Sequence, residues 1–468
     1  MRILIDLQGA QNGSRHRGIG RYSLALANAI ARNAGEHRIF ILLSRLFSET
    51  IEDVRTSFFG ILGMDRFLIF TSPGPVAELR PENSWRRRTA EILREYFIET
   101  VAPDAVLITS MVEGAEDDTV TSLGILRPTV PTAAILYDLI PLMDPDHYLT
   151  REAVEVWYRG KIDSLCRCDA LFAISHSAAN EASRLLNIES TRIRIISSAV
   201  DSMFFSAKAS LSHTNSVAKR FGIVRPYLMH SSAFEPRKNF QGLMRAYAAL
   251  PKTVRANHQL VLVCKLETAD RESLRSLTQL LGLALDEVVL PGFVADDDLV
   301  ELYRGCHLFV FPSFHEGFGL PALEAMSCGA PTIGSNVTSI PEVIGRNDAL
   351  FDPASSVDIS ALILKALTDP VFYQSLKCHA KIQSAKFSWD ETALNAIEGL
   401  ENLRVRNNSL PQSAENAATR RKGMLEALAE VARDTLPSDF EILELARSIE
   451  ANYDEFCRVK AYGAFSDT

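Results

Sequence analysis

The sequence predicts an α/β protein of two doubly wound, Rossmann-like domains with a helical C-terminal tail, on three observations. Short apolar runs alternate with amphipathic helical stretches, the pattern of a parallel sheet covered on both faces. That pattern restarts near residue 227 with the same layout and no obvious residue repeat. The length, 468 residues, exceeds the roughly 250–300 at which single cores stop growing.

In chain order, Ile3–Leu7, Ile39–Leu43, Phe67–Phe70, Ala105–Ile108, Ala133–Leu136 and Leu171–Ile174 read as buried strands. Between them, Arg21–Arg32, Trp85–Glu99 and Glu152–Leu165 carry helical periodicity. The second series comprises Tyr227–His230, Leu260–Cys264, Val288–Leu290, Leu308–Phe311 and Pro331–Ile333, with helices near Asn239–Ala249, Arg271–Leu281 and Asp297–Arg304. The stretch Ala199–Ser216 loses its period and gains Ser, so it marks the boundary. Expected domains are residues 1–200 and 217–388, a closing helix at 389–405, and a linker with helical tail at 406–468. In the tail, Gly423–Arg433 and Asp439–Ala451 read as helices; Ser438 and Glu441 have capping-box spacing. Ile442, Leu445, Ala446 and Ile449 form one apolar face that must pack on something. Ligands of such sheets bind beyond the carboxyl ends of the strands, so the loops near Gly18 and Gly317 are expected to face a cleft between the domains.

A net charge of -9 argues against nucleic acid as a partner. The seven cysteines are odd in number and form no CxxC pair, which fits reduced, mostly buried thiols in a cytoplasmic protein. MRILIDLQ has no signal-peptide pattern and no run has the length of a membrane span. A soluble protein is expected, with peripheral membrane contact left open: Trp85 and Arg86–Arg88 head a basic amphipathic helix. Core packing with a solvated arginine face is the favoured reading of that helix. The chain stops at YGAFSDT without an end signal, leaving further domains of a longer polypeptide open.

The most informative stretch is HEGFGLPALEAMSCGAP, His315–Pro331. Gly317 and Gly319 suit a bend or close backbone approach, and Pro321 suits a first helical turn. A turn at Glu316–Leu320 followed by a helix to about Cys328, closed by Gly329, is expected. Helix starts attract anions, so the flanking carboxylates Glu316 and Glu324 are left for hydroxyl groups. A ligand bearing both phosphates and sugars satisfies both demands. In EPRKN, Arg237 and Lys238 precede a helix; surface charge is the plain reading and a diphosphate clamp the functional one.

EGFGLPALEAMSCGAPTIGSN resembles the E-x7-E signature of the retaining glycosyltransferases of family 4, which have the two-domain GT-B fold; LPGFVADDDLVELYRGC, SSAFEPRKNF, SIPEVIGRNDALFDP and FSWDETA follow the same resemblance. It covers about residues 1–400. It implies a nucleotide-sugar donor, with Glu324 on the ribose hydroxyls, Glu316 on the transferred sugar, and the amides of Gly317, Phe318, Gly319 and Leu320 helping to bind the donor. It implies Lys238 on the diphosphate and base contacts through backbone near Phe293-Val294. Many members carry an arginine where this chain has Ala233; Arg237 either compensates or points to solvent. The loop Gly18, Gly20, Arg21, with Arg17, would line the cleft near phosphates and acceptor. A strand-to-helix turn needing small residues explains the glycines equally well.

After the Ala133 strand, Tyr137-Asp138 stands where the family often has His-Asp, which puts the detail of sugar contacts in question. Asp138 is an acceptor-side residue or a cap. Asp144-Pro145-Asp146 reads as a turn rather than a metal-binding D-x-D; no metal and no cofactor are expected. DLQGAQ and YDLIPL resemble segments of bacterial polysaccharide and O-antigen mannosyltransferases, which implies transfer of a hexose, with mannose from GDP-mannose the best guess, to a saccharide or lipid-linked acceptor in polysaccharide synthesis. The alternatives are a non-catalytic sugar-binding or scaffold domain, and a nicotinamide-dependent oxidoreductase. The latter lacks its third fingerprint glycine, position 23 being Ser.

Overall fold

The computed structural model describes residues 1–16, 18–126, 129–205, 211–408 and 417–461. Arg17, linker residues 409–416, part of the expected boundary (206–210) and the YGAFSDT end lie outside them. The chain divides into two compact units. The first comprises Met1–Ile174, Ala179–Ser197 and Trp389–Thr468; the second comprises Ser175–Ala178 and Ser198–Ser388.

The first unit holds strands β1 (Arg2–Asp6), β2 (Arg38–Ser44), β3 (Phe67–Phe70), β4 (Ala105–Ile108), β5 (Thr132–Leu136), β6 (Ala170–Ala173) and β7 (Ile193–Ile195). They form one sheet in the order β3-β2-β1-β4-β5-β6-β7. The second unit holds β8 (Tyr227–Ser231), β9 (Gln259–Val263), β10 (Val288–Gly292), β11 (Leu308–Phe311), β12 (Thr332–Ser335) and β13 (Leu350–Phe351), ordered β10-β9-β8-β11-β12-β13. The pairings are parallel. Each sheet therefore reverses its winding once, between β1 and β4 and between β8 and β11, the crossover at which doubly wound sheets bind ligands. Apolar runs such as β4 and β11 are buried at every position, as strands covered on both faces require.

The helix Gly18–Arg32 begins at Gly18, so Gly18, Gly20 and Arg21 form its first turn rather than the expected loop. Gly20 is held to glycine by close approach: a Cβ there would lie 2.3 Å from the Ser14 carbonyl oxygen. Helix Trp389–Asn408 belongs to the first unit, with Trp389 edge-on to Tyr22 at 5.0 Å and Glu401 paired with His37 at 2.9 Å.

The tail bears on two expectations. Helix Ser84–Val101 packs on the core through Trp85, Ile92, Leu93 and Phe97, as expected, while Arg86 and Arg88 on its other face pair with Glu441 at 2.9 Å and Asp434 at 3.1 Å on the tail helices Asp439–Ala461 and Ala417–Thr435. Arg87 pairs with Glu91 at 3.0 Å. The face of Asp439–Ala461 expected to pack is only partly covered: Leu445 and Ile449 are half-buried and Ile442 and Ala446 exposed, whereas Ser448, Asn452 and Val459 are buried. The cause is the partner. β3 is an edge strand, and its free backbone groups call for polar side chains. Asn452 both accepts from the Thr71 amide and donates to the Thr71 carbonyl, each at 2.8 Å. Glu455 accepts from the Ile69 amide and Arg458 donates to the Phe67 carbonyl, both at 2.8 Å. The capping box forms as expected: Ser438 Oγ accepts from the Glu441 amide, and Glu441 accepts from the Ser438 amide at 2.9 Å.

The seven cysteines are unpaired, but Cys378 and Cys457 are exposed rather than buried.

Candidate functional site

The site is built at the β8/β11 crossover of the second unit. Beyond β8 the chain makes a tight turn, Pro236–Lys238, which ends at Asn239 in the left-handed region (φ 56°). Asn239 then caps helix Phe240–Ala248, accepting from the Gly242 amide at 3.1 Å, while its Nδ2 donates to the carbonyls of Pro312 and Pro353. That bracing ties the loop after β8 to the loop after β11. It delivers Lys238, buried, with its Nζ donating to Glu316 Oε1 at 2.7 Å and Oε2 at 2.8 Å.

Arg237 is turned the same way rather than to solvent. It donates to Glu316 Oε2 at 3.1 Å, to the His315 carbonyl at 2.9 Å and to Glu235 at 2.7 Å. Burial pushes the Glu316 carboxyl up, but Lys238 and Arg237 outweigh it and hold the group below its ordinary value. The backbone of Glu316 is pinned as well: its amide donates to Thr338 Oγ1 at 3.2 Å and its carbonyl accepts from Ser339 Oγ at 3.0 Å. Thr338 has φ 54°, a strained conformation for a β-branched residue and one found at functional sites.

Beyond Glu316 the expected turn and helix are present. Gly319 caps the helix Leu320–Ser327 with φ 108° and ψ 42°, which only glycine adopts readily. Pro321 lies in the first turn. At the other end, Gly329 donates to the Met326 carbonyl and Ala330 to the Ala325 carbonyl, the paired bonds of a Schellman stop. The first amides of a helix have no partner within it, and Gly317, Phe318 and Gly319, which lead into it, are buried. Glu324, on this helix, accepts from the Tyr303 hydroxyl at 2.9 Å. Lys238, Arg237 and Glu316 are thus in mutual contact, and Glu324 sits on the helix that follows. The arrangement combines cations, a helix start and two carboxylates, suited to a ligand carrying both negative charge and hydroxyls.

The other sequence-expected residues divide. Val294 is buried and its neighbour Phe293 is exposed. Ala233 is exposed and brings no charge. In the first unit, the Tyr137 hydroxyl donates to the Thr109 carbonyl at 2.9 Å and lies 3.1 Å from Ser23 Oγ; this phenol is engaged with its own unit. Asp138 accepts from the Ile140 amide at 3.1 Å, the side-chain bond of a turn two residues long, and the N-cap of the helix Ile140–Met143 is Leu139. Asp144 and Asp146 are exposed at the one-turn helix Pro145–Tyr148. Sequence reasoning missed Tyr303, Ser231, Thr338 and Ser339. A tyrosine among the apolar positions of a helix reads as core, and nothing local marks the hydroxyl's target.

Comparison with known proteins gives the family. Residues 218–384, which contain it, match the family model described as glycosyl transferases group 1. O-antigen chain mannosyltransferase B of Escherichia coli is 30% identical over 396 residues, 82% of this chain and 96% of that protein. The chain belongs to the group 1 glycosyltransferases. The serotype-specific mannosyltransferase WbdA of Escherichia coli is 42% identical over 404 residues, 86% of this chain. Those residues are 48% of WbdA, so the chain spans about half the length of that relative. In fold, the crystal structure of Anabaena HepE in complex with UDP aligns with a TM-score of 0.60 at 19% identity, covering 86% of this chain and 99% of that one. The fold class is GT-B, two Rossmann-like domains, with the helical C-terminal region appended. Family membership displaces the oxidoreductase reading.

Proposed function

We propose that this chain is a retaining hexosyltransferase that moves mannose from GDP-mannose to a saccharide or lipid-linked saccharide in O-antigen-type polysaccharide synthesis. The observation that carries the reading is the buried contact of Lys238 and Arg237 with Glu316 directly before a glycine-capped helix start. The choice of mannose and of polysaccharide rests on the names of WbdA and O-antigen chain mannosyltransferase B.

The donor diphosphate takes a share of the Lys238 ammonium and the Arg237 guanidinium, together with the amides of Gly317–Leu320. As the anomeric bond breaks, charge builds on the leaving diphosphate, and donors already fixed there stabilise that transition state. The Glu316 carboxylate, released in part from Lys238, meets the sugar hydroxyls, and Glu324 meets the ribose. The acceptor hydroxyl attacks from the face the diphosphate vacates, and a phosphate oxygen takes its proton. No metal or cofactor enters this scheme. Among the described residues no helix is long and apolar enough to cross a membrane; Arg86 and Arg88 pair with tail carboxylates and Arg87 with Glu91.

A second reading, a non-catalytic sugar-binding domain of a longer protein, draws on the 48% share of WbdA covered and on the engaged phenol of Tyr137. One assay separates the two: incubation of the chain with GDP-mannose and mannosyl acceptors, with and without chelator. The expected result is an axially linked product in equal yield in both arms, detected by anomeric proton NMR. Donor binding without transfer or hydrolysis would favour the second reading.

A further inference from the structure

Tyr303 is fully buried on helix Asp296–Gly305, edge-on to Phe309 at 5.5 Å. A phenylalanine would fill that space. The hydroxyl is costly at such depth unless it is bonded, and here it has two partners. It donates to Glu324 Oε2 at 2.9 Å and lies 2.6 Å from Ser231 Oγ, at the end of β8. A phenol has one proton. Since that proton goes to the carboxylate, Ser231 must donate to the phenol oxygen, which fixes the direction of a chain Ser231 to Tyr303 to Glu324. Burial first, then the neighbouring Glu324 charge, hold the phenol well above its ordinary pKa; it stays a donor.

We infer that Tyr303, backed by Ser231, is a positioning residue that sets the orientation of the Glu324 carboxylate toward the donor ribose. Directed bonds in series polarise one another and narrow the directions available to the last acceptor. Ser231 ends the strand whose following loop carries Lys238, so the same strand end anchors the diphosphate clamp and the ribose carboxylate. The inference rests on the reading of Glu324 as the ribose ligand, and the test separates the two.

The test measures calorimetric binding of GDP and of 2′,3′-dideoxy-GDP to the wild-type chain and to Glu324→Gln, Tyr303→Phe and Ser231→Ala. The wild type is expected to prefer GDP, and Glu324→Gln to lose that preference. Tyr303→Phe is expected to weaken GDP by about tenfold, the size of one lost bond to a charged group, and to leave the dideoxy form nearly unchanged. Ser231→Ala should do the same to a smaller degree. It carries the test if Tyr303→Phe fails to fold, which thermal unfolding reports. In transfer assays the Tyr303→Phe defect should lie in KM for the donor and not in kcat. No ribose preference in the wild type would remove the reading of Glu324. An intact preference in Tyr303→Phe, or equal weakening of both nucleotides, would overturn the role of Tyr303 and leave its hydroxyl a merely structural bond.

Discussion

The two sheets share a central strand order and differ in what stands at the crossover. At β8/β11 a buried lysine, an arginine and a carboxylate meet before a helix start. At β1/β4 the side chains are mostly neutral amides and hydroxyls. Gln8 donates to the Val120 carbonyl at 2.9 Å, Asn12 and Ser110 each donate to Glu113 at 2.8 Å, and Asp6 is neutralised by the buried Arg94. Burial pushes Glu113 up to about 7 despite those two hydrogen bonds. One backbone plan thus carries either an exchangeable charge cluster, suited to a charged ligand, or a polar, near-neutral one. The choice lies in a few loop side chains, which is why fold by itself does not determine function.

The largest effect that tests this contrast is loss of Lys238. Lys238→Ala leaves Glu316 buried with only Arg237 in partial compensation, so the chain should lose about 3 kcal/mol of stability. Transfer should fall by about 100-fold or more, as when a donor to a developing charge is removed. The double variant Lys238→Met with Glu316→Gln removes both partners; urea unfolding should show most of the stability restored while transfer stays lost. Normal transfer by the single variant would break the contrast, because the charge cluster would then be structural alone.

The two crossovers should also respond to pH in opposite senses. Glu113 has a raised folded-state pKa, so its contribution is fully present below the unfolded value of 4.5 and is lost as pH rises through about 7. Glu316 has a lowered one, so its contribution is present above the unfolded value and is lost as pH falls through the folded one. Glu113→Gln imitates the protonated acid. Its stability relative to wild type should be unchanged at pH 4 and higher by about 3 kcal/mol at pH 8.5. Thermal unfolding across that range measures the difference, and a pH-independent gap would mean that Glu113 does not titrate in this window.

Legibility in the sequence followed locality. The eleven apolar runs are all strands, because a buried parallel strand writes itself as a continuous apolar segment. The two strands missed are β7, whose IRI is only half-buried, and β13, two residues long. Glu316, Gly319, Pro321, Glu324 and Gly329 form one short stretch whose turn, cap and stop chemistry could be read directly. The groups that hold the two glutamates in place could not: Tyr303 and Ser231 for the Glu324 carboxylate, Thr338 and Ser339 for the Glu316 backbone, all brought in by tertiary folding. The same distance hid the destination of Arg86 and Arg88, whose partners Glu441 and Asp434 lie hundreds of residues on. The tail helix was misread for a different reason. Hydrophobic periodicity finds the face that meets a core, and this helix meets the edge of a sheet.

That edge supplies the smallest and most localised prediction. Asn452→Ala removes the acceptor for the Thr71 amide and the donor to its carbonyl, and should cost about 1–2 kcal/mol, the net of two hydrogen bonds with the strand end regaining water. Glu455→Ala should expose the Ile69 amide in the same way. Hydrogen exchange is the direct readout: the Thr71 amide should lose protection in the first variant and the Ile69 amide in the second, while β8 and β11 in the other unit keep theirs. An uncovered edge strand is a template for pairing with another chain, so the double variant should also self-associate as concentration rises, seen by sedimentation velocity. Unchanged protection at Ile69 and Thr71 would mean that the tail rests on the sheet without sealing it.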